Sequence, residues 1–236
     1  MGFLTQDPPI ASSVVTEDST TQSAFLSKVY GLLLVGLVAA AAGAFVTMTN
    51  PTAQALVLGH PILMIVVYFG LFFGCRALRR TPGINILALL AFTLASGAFL
   101  APAILVAAFK TGSLAVVFEA ATITGSIFVG LTLYTLISKK DFSFMGGFLT
   151  VGLWSILGLM LIIMVLSFFH VDVQAASLAI AWLGSGLFSL FILYNTSAIM
   201  RSSQSDEYVA AALMLFLNVI NLFLFILQIL SSGRRN

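Results

Sequence analysis

Charge is what this sequence has least of. Ten Lys and Arg with eight Asp and Glu make up only 8% of 236 residues, where a soluble domain carries about 25%. With 60% hydrophobic residues and a mean hydropathy of +1.12, the chain has no means of covering a core with a charged surface. Its long uncharged runs identify an integral membrane protein with the lipid bilayer as its surroundings. The net charge of +2 is scattered among loops and excludes nucleic acid as a partner. A single cysteine, Cys75, excludes an internal disulfide framework. Two histidines, His60 and His170, with that lone thiol make no zinc site, and no metal or cofactor is expected. Residues Met1–Ser23 lack a basic stretch followed by an apolar one, so no cleavable signal is expected and the first span directs insertion.

What is present is apolar sequence in seven pieces. They run near Ala24–Thr49, Ala53–Cys75, Ile84–Phe109, Ser113–Ile137, Phe144–Phe169, Gln174–Met200 and Tyr208–Leu230. Each is about long enough to cross ~30 Å of hydrocarbon as a helix. The second is the weakest, because Pro61 lies inside it and is expected at a first turn or a kink. Pro102 predicts a bend in the third. The organisation expected is a disordered cytosolic tail over 1–23, a seven-helix transmembrane bundle over 24–231, and a short tail over 232–236. Gly70 with Gly74, and Ser185 with Ser189, have the small-xxx-small spacing of tightly approaching helices.

Lys and Arg collect on the cytosolic side of membrane proteins. With the N-terminus inside, Lys28, Arg76, Arg79, Arg80, Lys139, Lys140 and Arg201 are cytosolic, while Lys110, Arg234 and Arg235 are outside. The terminal arginines argue for an alternative in which the last segment re-enters. Arg76, Arg79, Arg80, Lys139, Lys140 and Asp141 are read as boundary charges near the headgroups. Arg76 is the one placed to reach inward.

One charge falls within an apolar run. Glu119 lies in Ser113–Ile137, where an ionisable side chain is costly and marks a candidate titrating site. Thr122 and Ser126 share its helical face. Asn218, Asn221 and Gln228 form a stripe on the last segment, and Asn85, Thr93 and Ser96 a looser one on the third. These faces are expected to look into the bundle, towards one another or a wet cavity.

Enzyme readings lack their parts. Ser185 in Leu183-Gly184-Ser185-Gly186 has no histidine in any span to act as its base. No intramembrane aspartate pair exists for an aspartyl protease, and no mid-span lysine in the last segment for a retinal Schiff base. A transporter's internal symmetry is absent too.

Several strings resemble the Bax inhibitor-1 (transmembrane Bax inhibitor motif) family. They are Ala91-Phe92-Thr93-Leu94-Ala95-Ser96-Gly97 with Leu100-Ala101-Pro102, the run Leu133 to Gly147 through Lys139-Lys140-Asp141-Phe142-Ser143, Tyr194-Asn195-Thr196-Ser197, and Asn218-Val219-Ile220-Asn221-Leu222-Phe223. The first two look closest to its bacterial YccA-like branch. The resemblance implies seven helices with the last one central, wrapped by six, in a bacterial inner membrane. It implies one of two activities: a calcium or proton leak latched by a buried aspartate pair, or modulation of an FtsH-type membrane protease. The positions of that pair are Asn195 and Asn218 here. Two amides cannot share or lose a proton near neutral pH, and they lack the charged oxygens that hard cations prefer. Protease modulation is therefore the first expectation, and a pH-sensitive leak titrated at Glu119 the alternative.

Overall fold

The computed structural model describes residues 10–202 and 207–233, with the side chains of the first helix described from Gln22. Eight α-helices and one 3-10 turn, and no strand, are found among the described residues. They are α1 (Ile10–Thr49), α2 (Pro51–Gly59), α3 (Pro61–Ala77), α4 (Ile84–Thr111), α5 (Ala115–Ser138), α6 (Gly146–Phe168), α7 (Gln174–Arg201) and α8 (Tyr208–Gly233), with the 3-10 turn at Ser143–Met145. Six are long and apolar enough to cross a membrane. A seventh crossing is obtained if α2 and α3 count as one span.

The boundaries follow local chemistry. Asn50 caps α2, its side-chain oxygen accepting from the Thr52 and Ala53 amides at 2.9 and 3.3 Å. Pro51 and Pro61 occupy first-turn positions, where a missing N–H costs nothing. Pro61 therefore starts a helix instead of kinking one, and α2 and α3 meet at 92°. The single span Ala53–Cys75 is corrected accordingly. Helix α3 alone is ~26 Å long at 1.5 Å per residue, shorter than the six long helices. Gly112, at φ +68°, closes α4, and Gly83, at φ +79°, precedes it. Helix α4 continues through Pro102.

The front of the chain also differs from expectation. Helix α1 begins at Ile10, so Ile10–Ser23 is helical rather than disordered, while residues 1–9 lie outside the described residues. No Gly or Pro falls between Ile10 and Tyr30, and a helix nucleated in the apolar span can propagate back until it meets Pro8-Pro9. At the other end α8 runs through Gly233, past the expected boundary at 231.

Two apolar clusters fill the bundle. One joins α4, α5, α6, α7 and α8, with Ala44 of α1, around Val116, Ile192 and Leu222; the other joins α1, α3, α4 and α8, with Ile199 of α7, around Val29, Phe92 and Phe216. Phe92 is ringed by Tyr68, Phe72 and Phe216, with centroids 5.2–6.1 Å away. Helix α8 packs against α1, α4, α5 and α7. Its most apolar stretch is 61% buried, against 11% for α6, which packs chiefly along α7 at the periphery. The closest crossing joins α1 and α4. A Cβ added at Gly97 would overlap the Ala40 carbonyl, and one at Gly43 the Leu94 carbonyl. Gly70 and Gly74 face open space, so their spacing marks no helix contact.

Candidate functional site

Polar chemistry concentrates at the end of the bundle where α3, α5 and α7 finish and α4, α6 and α8 begin. Glu207, just before α8, accepts from Arg80 at 2.8 Å and pairs with Arg79 at 3.4 Å. Arg201 at the end of α7 pairs with Asp141 and donates to Ser197 Oγ at 3.0 Å. Ser197 Oγ in turn accepts from the Phe142 amide at 3.1 Å and donates to the Lys140 carbonyl at 3.3 Å, tying the α5–α6 loop to α7. Lys28 lies over the Tyr208 ring, and Lys140 over that of Tyr134. Lys139, at φ +52°, closes α5 with its amide donating to the Thr135 carbonyl. The Ser143 amide, first, and then Arg201 hold the Asp141 carboxyl below its ordinary range. Glu207 is lowered chiefly by the Arg80 hydrogen bond.

Just inside this end is a cavity of about 280 Å³ between α3, α6, α7 and α8. Asn195 from α7 and Asn218 from α8 both line it, with Asn221 one turn further along. Arg76 from α3 and Arg79 just beyond its end complete the polar lining together with Tyr194. Asn218 is only 5% exposed, and its Nδ2 finds no acceptor among the described residues. The Asn221 amide is spent within its own helix, donating to the Leu217 carbonyl at 2.7 Å. Among the described residues, no carboxylate lines the cavity. The double-amide position is thus a cavity rich in donors, with two guanidiniums beside it.

Leu153, Phe188 and Asn221 also line a second cavity of about 510 Å³, which continues along α8 towards Gln228, Ser231 and Lys110. Gln228 Nε2 donates to Ser177 Oγ at 2.6 Å and to the Ser177 carbonyl at 3.1 Å. The polar face of α8 therefore looks into two adjoining cavities along much of its length.

The other polar residues go elsewhere. Thr93 and Ser96 are buried, but their hydroxyls donate to the Leu90 and Phe92 carbonyls of their own helix. Thr122 and Ser126 are exposed on the outer face of α5, a correction to their expected inward orientation. Each donates to the carbonyl four residues back, at 2.8 Å, so it needs no polar surroundings. Glu119 is half-buried, and lies about one turn from the start of α5 rather than deep in a span. It lines neither cavity along α8, and ~28 Å of helix separates it from Ser138.

Two groups were not singled out by sequence. Ser197 sits in a string that carries the family likeness but shows no sign of its loop-tethering role. The Tyr30 hydroxyl is directed at Thr132 and Thr196, three buried oxygens from α1, α5 and α7 with no direct hydrogen bond of normal geometry.

Comparison with known proteins converges on one family. The family described as "Inhibitor of apoptosis-promoting Bax1" matches residues 22–235. Bax inhibitor 1 of Schizosaccharomyces pombe is 36% identical over 90% of this chain and 78% of its own length. Protein lifeguard 4 of Mus musculus is 34% identical, covering 94% and 90%. A membrane protein of Vibrio cholerae is 34% identical, covering 89% and 90%. With matches running through both the charged end and the α7–α8 amide pair, this chain belongs to the Bax inhibitor-1 family.

Proposed function

We propose that this protein is a non-enzymatic, YccA-like regulator in membrane-protein quality control, acting through an FtsH-type protease of a bacterial inner membrane. In this reading there are seven spans, six of them around a central α8, counting α2 and α3 as one broken span. The charged end faces the cytosol with the N-terminus, and the C-terminus lies outside. The observation that carries it is the cavity at Asn195 and Asn218, lined by amides and guanidiniums and, among the described residues, by no carboxylate. A latch made of amides beside two arginines has no proton to release between pH 5 and 8 and repels cations, which removes the basis for a proton-gated calcium leak. Regulation through contact with another membrane protein remains. The fission-yeast relative is itself named for inhibition, not catalysis.

Two measurements test this. Purified protein in liposomes is expected to carry no calcium or proton flux that varies between pH 5 and 8. In a bacterial host, its removal is expected to alter the lifetime of a membrane substrate of the FtsH-type protease, with which it should co-purify. A pH-dependent flux abolished by Glu119→Gln would establish the leak reading instead.

A further inference from the structure

We propose that the two adjoining cavities along α8 hold one anionic phospholipid taken laterally from the bilayer, its phosphate at Arg76, Arg79 and Asn218 and an acyl chain beside α8. This goes beyond the regulatory reading and does not depend on it.

The headgroup end is defined by unmet donors. Asn218 is deeply buried, and its Nδ2 is without an acceptor at the wall of the cavity. A buried donor left unpaired keeps its full desolvation penalty, so an occupant that accepts there is favoured. Arg76 and Arg79 line the same space, and guanidinium offers donors only. Among the described residues, Glu207 is the carboxylate that reaches this group, and it serves Arg80 and Arg79. Among the described residues, one carboxylate against three guanidiniums leaves a surplus of positive charge at the mouth. An oxyanion with several acceptors matches it.

The remaining wall excludes a purely polar occupant. Phe72, Leu153, Phe188, Leu213 and Leu217 surround the amides, so the anion must bring an apolar body. The second cavity supplies room for it. Both cavities share Leu153, Phe188 and Asn221, and the larger continues between α4 and α6 past Ile156 and Leu224. From Asn218 to Gln228 is ~15 Å along the helix, the depth of one leaflet of a ~30 Å hydrocarbon core. Entry is lateral, because α6 rests on α7 and forms no extended interface with α3 or α4.

The test uses the full chain purified in neutral detergent. Native mass spectrometry should show a phosphatidylglycerol adduct that survives activation better than phosphatidylcholine, and phosphatidylglycerol should raise Tm more. Asn218→Asp, which sets a carboxylate against the phosphate, and Arg76→Gln with Arg79→Gln should each weaken phosphatidylglycerol binding at least about tenfold. Leu153→Trp keeps every charge but plugs the neck between the cavities, and should also expel the lipid. Lys139→Gln with Lys140→Gln, at the same end but outside both cavities, should leave binding unchanged. Equal loss in the lysine variant would reduce the effect to surface attraction and overturn the proposal. So would full binding by Asn218→Asp or Leu153→Trp, or displacement of the lipid by inorganic phosphate at equal affinity.

Discussion

A single atom decides how Asn195 and Asn218 behave: an amide nitrogen stands where a carboxylate oxygen would make the site titratable. Both side chains line one cavity with Arg76 and Arg79. Its charge is therefore constant across physiological pH, since guanidinium does not deprotonate and amides do not ionise. Replacing both by Asp should reverse this. Two carboxylates sharing one cavity repel each other, which raises one pKa against the pull of the arginines and favours uptake of a proton as the pH falls. The Asn195→Asp/Asn218→Asp protein is expected to change α7–α8 spacing, read by spin-label distances, between about pH 5 and 8, while the parent stays constant. A double variant with a flat profile would dissociate the amide pair from any latch. The carboxylates at the charged end behave in the opposite way to a pH sensor. Asp141 and Glu207 are both held below their ordinary values of 3.8 and 4.5. A lowered folded value contributes stability that is present above the unfolded pKa and lost as the pH falls through the folded one. Tm should thus be level from pH 8 to 5 and decline only below the ordinary carboxylate range. Asp141→Asn should remove part of that acid-side decline.

At the scale of elements, the closest approach in the bundle is the α1–α4 crossing. Two glycines make it possible, each facing a carbonyl of the other helix: Gly97 against Ala40 and Gly43 against Leu94. Without a hydrophobic drive between helices in lipid, such close backbone packing is a main source of association. Gly97→Ala forces the helices apart and should cost about 1–3 kcal/mol or more, seen as a lower Tm in detergent. Gly70→Ala, which meets open space, should stay within about 0.5 kcal/mol of the parent. Equal effects from the two would mean that α1 and α4 do not cross where the glycines put them. The break at His60-Pro61 belongs to the same scale. Pro61 has no N–H to continue a helix from α2, so the turn between α2 and α3 is set by a missing donor.

At the scale of the molecule, the ion pairs bring one end of α3, α5, α7 and α8 together. Arg79 and Arg80 meet Glu207, Arg201 meets Asp141, and Lys28 of α1 lies over Tyr208 of α8. Helices α1 and α8 both start at this end, so the chain leaves α8 at the opposite one. Single cysteines at Ser138 and Ser232, with Cys75 replaced, are therefore expected to label from opposite sides of the membrane. Labelling of both from one side would require α8 to re-enter. The peripheral seat of α6 gives the bundle its asymmetry, opening the amide face of α8 towards lipid between α4 and α6.

Much of this is legible in the chain itself. Membrane embedding, all-helical structure and the approximate spans follow from apolar runs too long and too free of charge for water, because the bilayer leaves a backbone few ways to satisfy itself. The amides at Asn195 and Asn218 could be placed on the last two helices by pattern and family likeness. Arg76 could be marked as a charge able to reach inward, but not its meeting with Asn195, since the two are brought together only by packing across separate helices. Thr122 and Ser126 misled because a hydroxyl in a membrane helix can satisfy itself on its own backbone, and so carries no information about which way it faces. Glu119 could be marked from its place in an apolar run, but its position about one turn from the start of α5 at Ala115 needed the helix boundaries. Gly70-xxx-Gly74 and Gly43 differ by nothing local, and only the seating of α1 on α4 distinguishes a glycine under contact from one in open space. Sequence alone determined which segments enter the membrane, since transfer into lipid is summed residue by residue along the chain. Tertiary structure decided which polar atoms meet and which are left with an unmet donor, since that depends on helices packing side by side.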